Sequence, residues 1–389
     1  MNSFFLPTRF EFGIGSFSLL GTEVKKLGGC ALIVSYKDNS LKHYVQQAEE
    51  LLQREGIKTI LFEEVEANPE HEMVNRGGMM AQSQKCDVII GLGGGSVMDT
   101  AKAIAVIAKE NIDIWEIACG CKISKGRNAL VLIPTTAGTG SEVTQYTVIS
   151  NRKLKRKEGF ARKEFYADVS IIDPTLTIGM PPFVTAETGM DALTHAIEAY
   201  TTKYANIITD IVAEKTIELI ANNLRRAVFN GRDINARSAM LLASTLAGIA
   251  ITHADTSLCH VIGEAIGAVY NSSHGLNVSL TLPAVMEFNL GSNLEKFAKI
   301  SMLMGEKING LSIREAAIKA PRAVRQLIID IGMPKGLAEI GIKESDEVLA
   351  LCTRPGSDAA NRRSASYEDF KQLIKGSLSK NMSYWENNN

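Results

Sequence analysis

The chain of 389 residues carries 42 Lys and Arg against 43 Asp and Glu, a balance that gives no electrostatic reason to expect nucleic acid or an anionic membrane as partner. Its length exceeds what one typical core fills and predicts two or three domains. Six cysteines scattered through apolar segments, with only Cys119 and Cys121 close together as C-x-C, fit neither a disulfide framework nor a C-x-x-C metal site and point to a reducing cytoplasm.

The opening "MNSFFLPTRFEFG" lacks a basic start followed by a long apolar stretch, and no uninterrupted apolar run reaches roughly 18 residues, so neither secretion nor a membrane span is expected. From there β-like runs at 31–36, 59–65, 87–93, 129–134 and 169–174 alternate with helix-period segments at 41–54, 70–84 and 99–109. Strand and helix in regular succession predict a mostly parallel, Rossmann-like sheet covered by helices. Past Pro181 and Pro182 the texture changes to long helical patterns at 185–201, 206–229, 233–251 and 256–269. The fold class is therefore an α/β N-terminal domain over 1–180 plus an all-α domain over 181–389, with a ligand cleft expected between them. There are no repeats, and the terminal "ENNN" is the one low-complexity tract.

Two loops in the first half suit a nucleotide. "VIIGLGGGSVMDTAKA" (88–103) reads as a buried strand, a glycine run and a helix start. Glycines let the backbone approach a ligand closely, and the N–H groups of a helix N-terminus attract an anion. The spacing is neither G-x-G-x-x-G nor a P-loop, so a plain tight turn stays open as the alternative. "PTTAGTGSEVT" (134–144) follows another strand and gathers small hydroxyl residues suited to a ribose or pyrophosphate.

The second half concentrates imidazole and carboxylate. In "GMDALTHAIEAY" (189–200), Asp191 and His195 stand four apart, on one helix face of an otherwise apolar segment. His260 lies in an apolar helix and His274 just past the turn at Asn271, Ser272 and Ser273. A chain reversal there brings both toward one point. One carboxylate and three imidazoles suit a divalent transition metal; core histidines satisfied by hydrogen bonds, or a simple Asp–His pair, remain the alternative. His43 and His71 read as solvated helix residues, and Glu198 as a helix-surface residue or a hydrogen-bond partner rather than a base. Segment 151–163 reads mostly as an exposed charged turn, apart from Lys157.

Taken in order, "FEFGIGS", "NPE" at 68–70, the glycine loop, "PTTAGTGSEVT", "GMDALTHAIEAY", "SSHG" and "LPAVMEFN" (282–289) resemble the iron-containing (group III) alcohol dehydrogenases over nearly the whole chain. The resemblance implies reversible hydride transfer between NAD or NADP and a small primary alcohol or aldehyde. It also implies a divalent metal, Fe2+ first and Zn2+ as the alternative. Carried over residue by residue, it places metal ligands at Asp191, His195, His260 and His274. Cofactor contacts fall on Asn68, Gly94, Gly95, Ser96, Val97, Met98, Asp99, Lys102, Thr135, Thr136, Thr139, Thr144 and Lys157. A homodimer or higher homo-oligomer is expected.

Two departures carry consequences. Many NAD-preferring members have an acidic residue where this chain has Tyr36, followed by Lys37, which leaves NADP(H) open and offers a cation to its 2′-phosphate. Glu264 stands where many relatives have another histidine; one turn after His260, it is the candidate catalytic residue for moving protons. Pocket shape is expected to depend on Tyr146, Ile251 and the segment 355–363. A dehydroquinate-synthase-like lyase, also NAD- and metal-dependent, is the rival enzyme; it would need a dense basic set near 191–274. A non-enzymatic nucleotide- or metal-binding protein leaves the coincidence of two sites unexplained.

Overall fold

Near-continuous apolar runs, the mark of strands buried on both faces, build the first half around one sheet. The computed structural model describes residues 4–38, 40–154 and 156–378. The chain divides into two units, Phe5–Gly179 and Met180 onward, with Phe4 belonging to the second.

In the first unit β1 (Arg9–Phe12) precedes α1 (Leu20–Lys25), β2 (Cys30–Tyr36), α2 (Lys42–Arg54), β3 (Lys58–Val65), α3 (His71–Ser83), β4 (Val88–Gly93), α4 (Gly95–Glu110), α5 (Ile114–Ala118) and β5 (Ala129–Pro134). A hairpin of β6 (Tyr146–Asn151) and β7 (Arg156–Ala161) follows, then β8 (Val169–Ile172). The sheet runs β1-β8-β5-β4-β2-β3 with every pairing parallel. Alternate side chains divide the core in two. Leu32, Val34, Ile89, Leu130 and Leu132 face α3 and α4, while Ile33, Val88, Ile90, Val131 and Ile133 face α1 and α2. Because β2 lies between β3 and β4, the chain reverses its direction of winding there. The carboxyl ends of β2 and β4 form the switch point where such sheets take ligands.

The second unit is helical: α6 (Pro182–Thr201), α7 (Ile207–Phe229), α8 (Ile234–Ala254), α9 (Leu258–Tyr270), α10 (His274–Asn289), α11 (Leu294–Leu303), α12 (Ile313–Asp330), α13 (Asp346–Cys352) and α14 (Tyr367–Leu378). From Gly189 to Thr201 every residue of α6 is buried, among α7, α8 and α10. Helix α8 alone, among the described residues, is long and apolar enough to cross a membrane; two thirds of its most apolar window is buried inside the protein, as in a core helix.

Two expectations are corrected. Segment 151–163 is an exposed turn only over 152–154; residues from Arg156 form β7, paired antiparallel with β6, because Phe160 is buried and packs on Phe165 at 5.6 Å. Lys155 and the terminal "ENNN" lie outside the described residues. His71 is not solvated; its ring is 12% exposed, with Nδ1 3.3 Å from Asp113 Oδ1. The all-α expectation for 181–389 holds to the end of the described residues but names no individual helix beyond residue 269, and strand β1 carries no β-like run of its own. Pro283 interrupts the pattern inside α10, and β1 is a four-residue edge with partly exposed side chains.

Candidate metal and cofactor site

Helix α6 owes its burial to Met190, Ala192, Leu193, Ala196, Ile197 and Ala199, all at most 1% exposed. Its acidic residues and its histidine share one stripe: at about 100° per residue, Glu187, Asp191, His195 and Glu198 fall within roughly 80° of one another. Helix α9 ends at Asn271 in the left-handed conformation (φ 50°), and α10 starts at His274, so the chain folds back as expected. His260 and His274 thereby meet at a ring separation of 5.3 Å.

All four predicted ligands converge. Asp191 Oδ1 lies 4.0 Å from His195 Nε2 and 3.8 Å from His274 Nε2. The rings of His195 and His260 stack at 4.5 Å. Ligand atoms of Asp191, His195 and His260 lie within 4.8 Å of one another. Metal–ligand bonds of about 2.0–2.2 Å hold ligand atoms roughly 3–4 Å apart, so the cradle has the size for one ion. The donor set fits as well: Asp191 Oδ1 and His260 Nε2 are buried with no hydrogen-bond partner, a cost a bound cation would remove. His253 belongs elsewhere, with Nδ1 2.9 Å from the Ile249 carbonyl and its ring stacked on Phe4 at 4.1 Å.

Two carboxylates of the same stripe secure the cradle. Glu187 accepts from Ser273 Oγ at 2.7 Å, beside the start of α10; its burial raises its pKa, and nearby Asp191 raises it further, against the lowering effect of the Ser273 bond. Glu198 is buried, not at the helix surface, and accepts from Ser257 Oγ at 2.9 Å, Cys259 N at 2.7 Å and His260 Nδ1. Burial opposes the charge on both Glu198 and His260, yet their contact prevails: the Glu198 pKa falls and that of His260 rises. Sequence reasoning reached Glu198 only as one of two options. The available signal was its spacing, three residues after His195 in a run with no other exposed-type position. Glu264 is half-buried on α9, and its charge acts on His260.

In the α/β unit, Gly93 pairs with Pro134 in register, so the two loops leave the sheet side by side. A Cβ on Gly95 would stand 2.6 Å from Thr139 Cγ2, and one on Gly94 would stand 2.7 Å from the Tyr36 hydroxyl. Only glycine permits that approach. Helix α4 starts here without a side-chain cap, and its first N–H groups have no partner within the helix.

The predicted cofactor residues separate by exposure. Gly95, Ser96, Thr136 and Thr139 are part-exposed at the loops, and Asn68 and Lys157 meet at 2.9 Å. By contrast Gly94, Val97, Met98, Thr135 and Thr144 are buried. Lys102 is wholly buried and gives its three N–H bonds to Ser141 Oγ (2.7 Å), Thr144 Oγ1 (3.1 Å) and the Tyr146 carbonyl (2.7 Å). Asp99 Oδ1 lies 3.7 Å away and accepts from Ser141 Oγ at 2.6 Å. Burial pulls the Lys102 pKa down to about 8 and raises that of Asp99. These two residues bind the second loop to α4.

Tyr36 and Lys37 differ from expectation in what they touch. Burial pushes the Tyr36 phenol up to about 12, against a hydrogen bond from Gly94 N–H, so it carries no charge at neutral pH. Lys37 is already matched by Glu66 at 3.0 Å and is not the free cation expected for a 2′-phosphate. Of the residues expected to shape a pocket, Tyr146 begins β6, Ile251 is buried in α8, and segment 355–363 is held to α10 by the reciprocal Asn289–Asn361 amide pair at 2.9 Å.

A parallel α/β unit with its glycine loop at the switch point, joined in one chain to a helical unit with a buried His–Asp cradle, defines a dinucleotide- and metal-dependent oxidoreductase. Residues 7–174 match the family model of iron-containing alcohol dehydrogenase and residues 185–378 that of the Fe-containing alcohol dehydrogenase family, C-terminal. The chain belongs to the iron-containing alcohol dehydrogenase family. It is 38% identical to the 1,3-propanediol dehydrogenase of Klebsiella pneumoniae over 96% of this chain and 98% of that one. To the NAD-dependent methanol dehydrogenase of Bacillus methanolicus it is 37% identical, over 97% and 100%. The crystal structure of a 1,3-propanediol oxidoreductase superposes with a TM-score of 0.93 at 37% identity, covering 97% of this chain and 100% of that one. These likenesses overturn the dehydroquinate-synthase-like alternative: the relatives are dehydrogenases, and both family models are those of alcohol dehydrogenases.

Proposed function

We propose that this alcohol dehydrogenase and aldehyde reductase holds one divalent metal, Fe2+ first and Zn2+ as the alternative, on Asp191, His195, His260 and His274. It acts on short primary alcohols or diols and their aldehydes, in keeping with the relatives named above. The observation that carries this reading is the convergence of two buried, partnerless ligand atoms, Asp191 Oδ1 and His260 Nε2, with two further imidazoles. When bound, the cation supplies Lewis-acid polarisation of the substrate oxygen.

The remaining work falls to the chain. The N–H groups opening α4, with Ser96, Thr136 and Thr139, hold the dinucleotide pyrophosphate, and Lys157, steadied by Asn68, adds a positive charge. Val97, Met98, Asp99, Lys102, Thr135 and Thr144 act behind the loops by fixing their shape. Alcohol oxidation yields one hydride for the nicotinamide and one proton, which the Glu264 carboxylate accepts directly or through water. NAD(H) or NADP(H) can serve, since the uncharged Tyr36 repels no 2′-phosphate while Lys37 is already paired with Glu66. The enzyme works as a homo-oligomer in a reducing cytoplasm, consistent with six free thiols.

Metal analysis combined with NADH oxidation by a panel of short aldehydes tests the reading. About one metal per chain, with turnover lost on chelation and restored by Fe2+ or Zn2+, is expected. Full activity in metal-free protein would refute it.

A further inference from the structure

Glu198 is the most enclosed carboxylate of the helical unit that touches the cradle, with a side chain 2% exposed. An ionised carboxylate in such a place is costly unless several donors converge on it. Three do: Ser257 Oγ and Cys259 N on one oxygen, His260 Nδ1 on the other. Among the described residues no Lys or Arg pairs with it, and His260 is its one titratable partner. Ser257 and Cys259 flank the start of α9, a 13-residue helix whose own N-cap residue makes no side-chain capping bond. A carboxylate reaching across from α6 takes that place, where an anion is favoured. The same side chain therefore fixes both the start of α9 and the ring of the histidine two residues into it.

We propose that Glu198 is the positioning residue of the metal cradle: by accepting the Nδ1–H of His260 it selects the tautomer whose lone pair lies on Nε2, aimed at Asp191 and His195. The inference rests on the metal reading above. Nε2 is the atom left buried without a hydrogen-bond partner, so the lone pair stands where the cation is expected. Hydrogen bonding at the second ring nitrogen sets the orientation and basicity of a ligating histidine, and its loss costs about 10–100-fold in metal affinity.

Glu198→Gln separates positioning from capping. If the Gln oxygen keeps the Ser257 and Cys259 donors, its NH2 faces Nδ1, which must then become the acceptor, moving the proton to Nε2. Zn2+ affinity is measured by chelator competition on the parent, Glu198→Gln and His195→Ala, with circular dichroism of each metal-free form. The expected result is a folded Glu198→Gln protein binding Zn2+ at least tenfold more weakly than the parent. Binding within twofold of the parent, in a folded variant, overturns the proposal. A parent whose Zn2+ binding is unchanged by His195→Ala overturns the metal reading instead. Should Glu198→Gln fail to fold, nitrogen-15 histidine spectra of the Zn2+-loaded parent decide: Nδ1 protonated with Nε2 coordinated supports the proposal, and the reverse refutes it.

Discussion

Replacing Lys102 by Met should destabilise the α/β unit, and the loss should grow with pH. Methionine keeps the length of the side chain but removes the donor that Lys102 supplies to Ser141, Thr144 and Tyr146 and leaves Asp99 without its nearest cation. Truncating one partner of a buried ion pair costs about 3–5 kcal/mol, and the low end applies because burial already favours protonation of Asp99. The pH trend follows from Lys102 itself. Its pKa is 10.5 when unfolded and about 8 in the fold, so between those values the unfolded state binds more protons and the parent gains stability as pH rises. The variant has no such group. At about 1.4 kcal/mol per pH unit, the difference between parent and variant should be roughly 2 kcal/mol larger at pH 9.5 than at pH 7.5. Urea unfolding followed by Trp115, in a background where the only other tryptophan, Trp385, is replaced by Phe, measures both quantities. Dinucleotide affinity should fall about tenfold as the 141–146 loop loosens. A stability difference below about 1 kcal/mol, or one that shrinks toward high pH, would refute the view that a costly buried ammonium binds the two loops together.

Other outcomes follow from the same geometry. His260→Ala and His274→Ala should each abolish metal retention, read by elemental analysis, along with turnover; metal content equal to the parent's would remove that residue from the ligand set. Glu264→Gln should keep the metal and normal cofactor binding while kcat falls on the order of a hundredfold with a changed acidic limb of its pH profile; identical kinetics across pH would make Glu264 a bystander. Lys37→Ala should leave the NAD(H) to NADP(H) ratio of kcat/KM within about threefold, since an exposed ion pair already occupies the ammonium. A drop of more than tenfold with NADP(H) alone would show that Lys37 reaches the 2′-phosphate after all.

The parallel sheet was legible because β2, β4 and β5 are short apolar runs bounded by turns, and the helical half because α6 to α9 keep a helical period. The proposed ligand set was legible for a different reason: polar groups amid apolar helices demand a partner. What stayed hidden lacked either signal. Strand β7 reads as charge because its alternation buries only Phe160, and α10 is interrupted by Pro283. The tasks of Asp99 and Lys102 were illegible too. Motif matching places both residues near a cofactor, but only coordinates show that every N–H of Lys102 is spent on the neighbouring loop. The pairing of Lys37 with Glu66, 29 residues away, depends on the register of β2 against β3, which one sequence does not display.

Helix α6 shows how one segment serves both the fold and the site. Its apolar residues pack against α7, α8 and α10, while Glu187, Asp191, His195 and Glu198 occupy a single narrow stripe. Within that stripe the outer carboxylates are satisfied by groups from other segments: Ser273 for Glu187, and Ser257, Cys259 and His260 for Glu198. Partnerless atoms on the cradle remain at Asp191 and on the imidazole that Glu198 holds. A stripe designed only to hold helices together would satisfy its central carboxylate as fully as its outer ones. The distribution suits the proposed cation: donors and anions fixed by protein bonds at the periphery, with lone pairs left at the centre. Helix packing can thus assemble the cradle before a metal arrives, because the interactions that bring α9 and α10 to α6 use atoms other than those that would hold the ion.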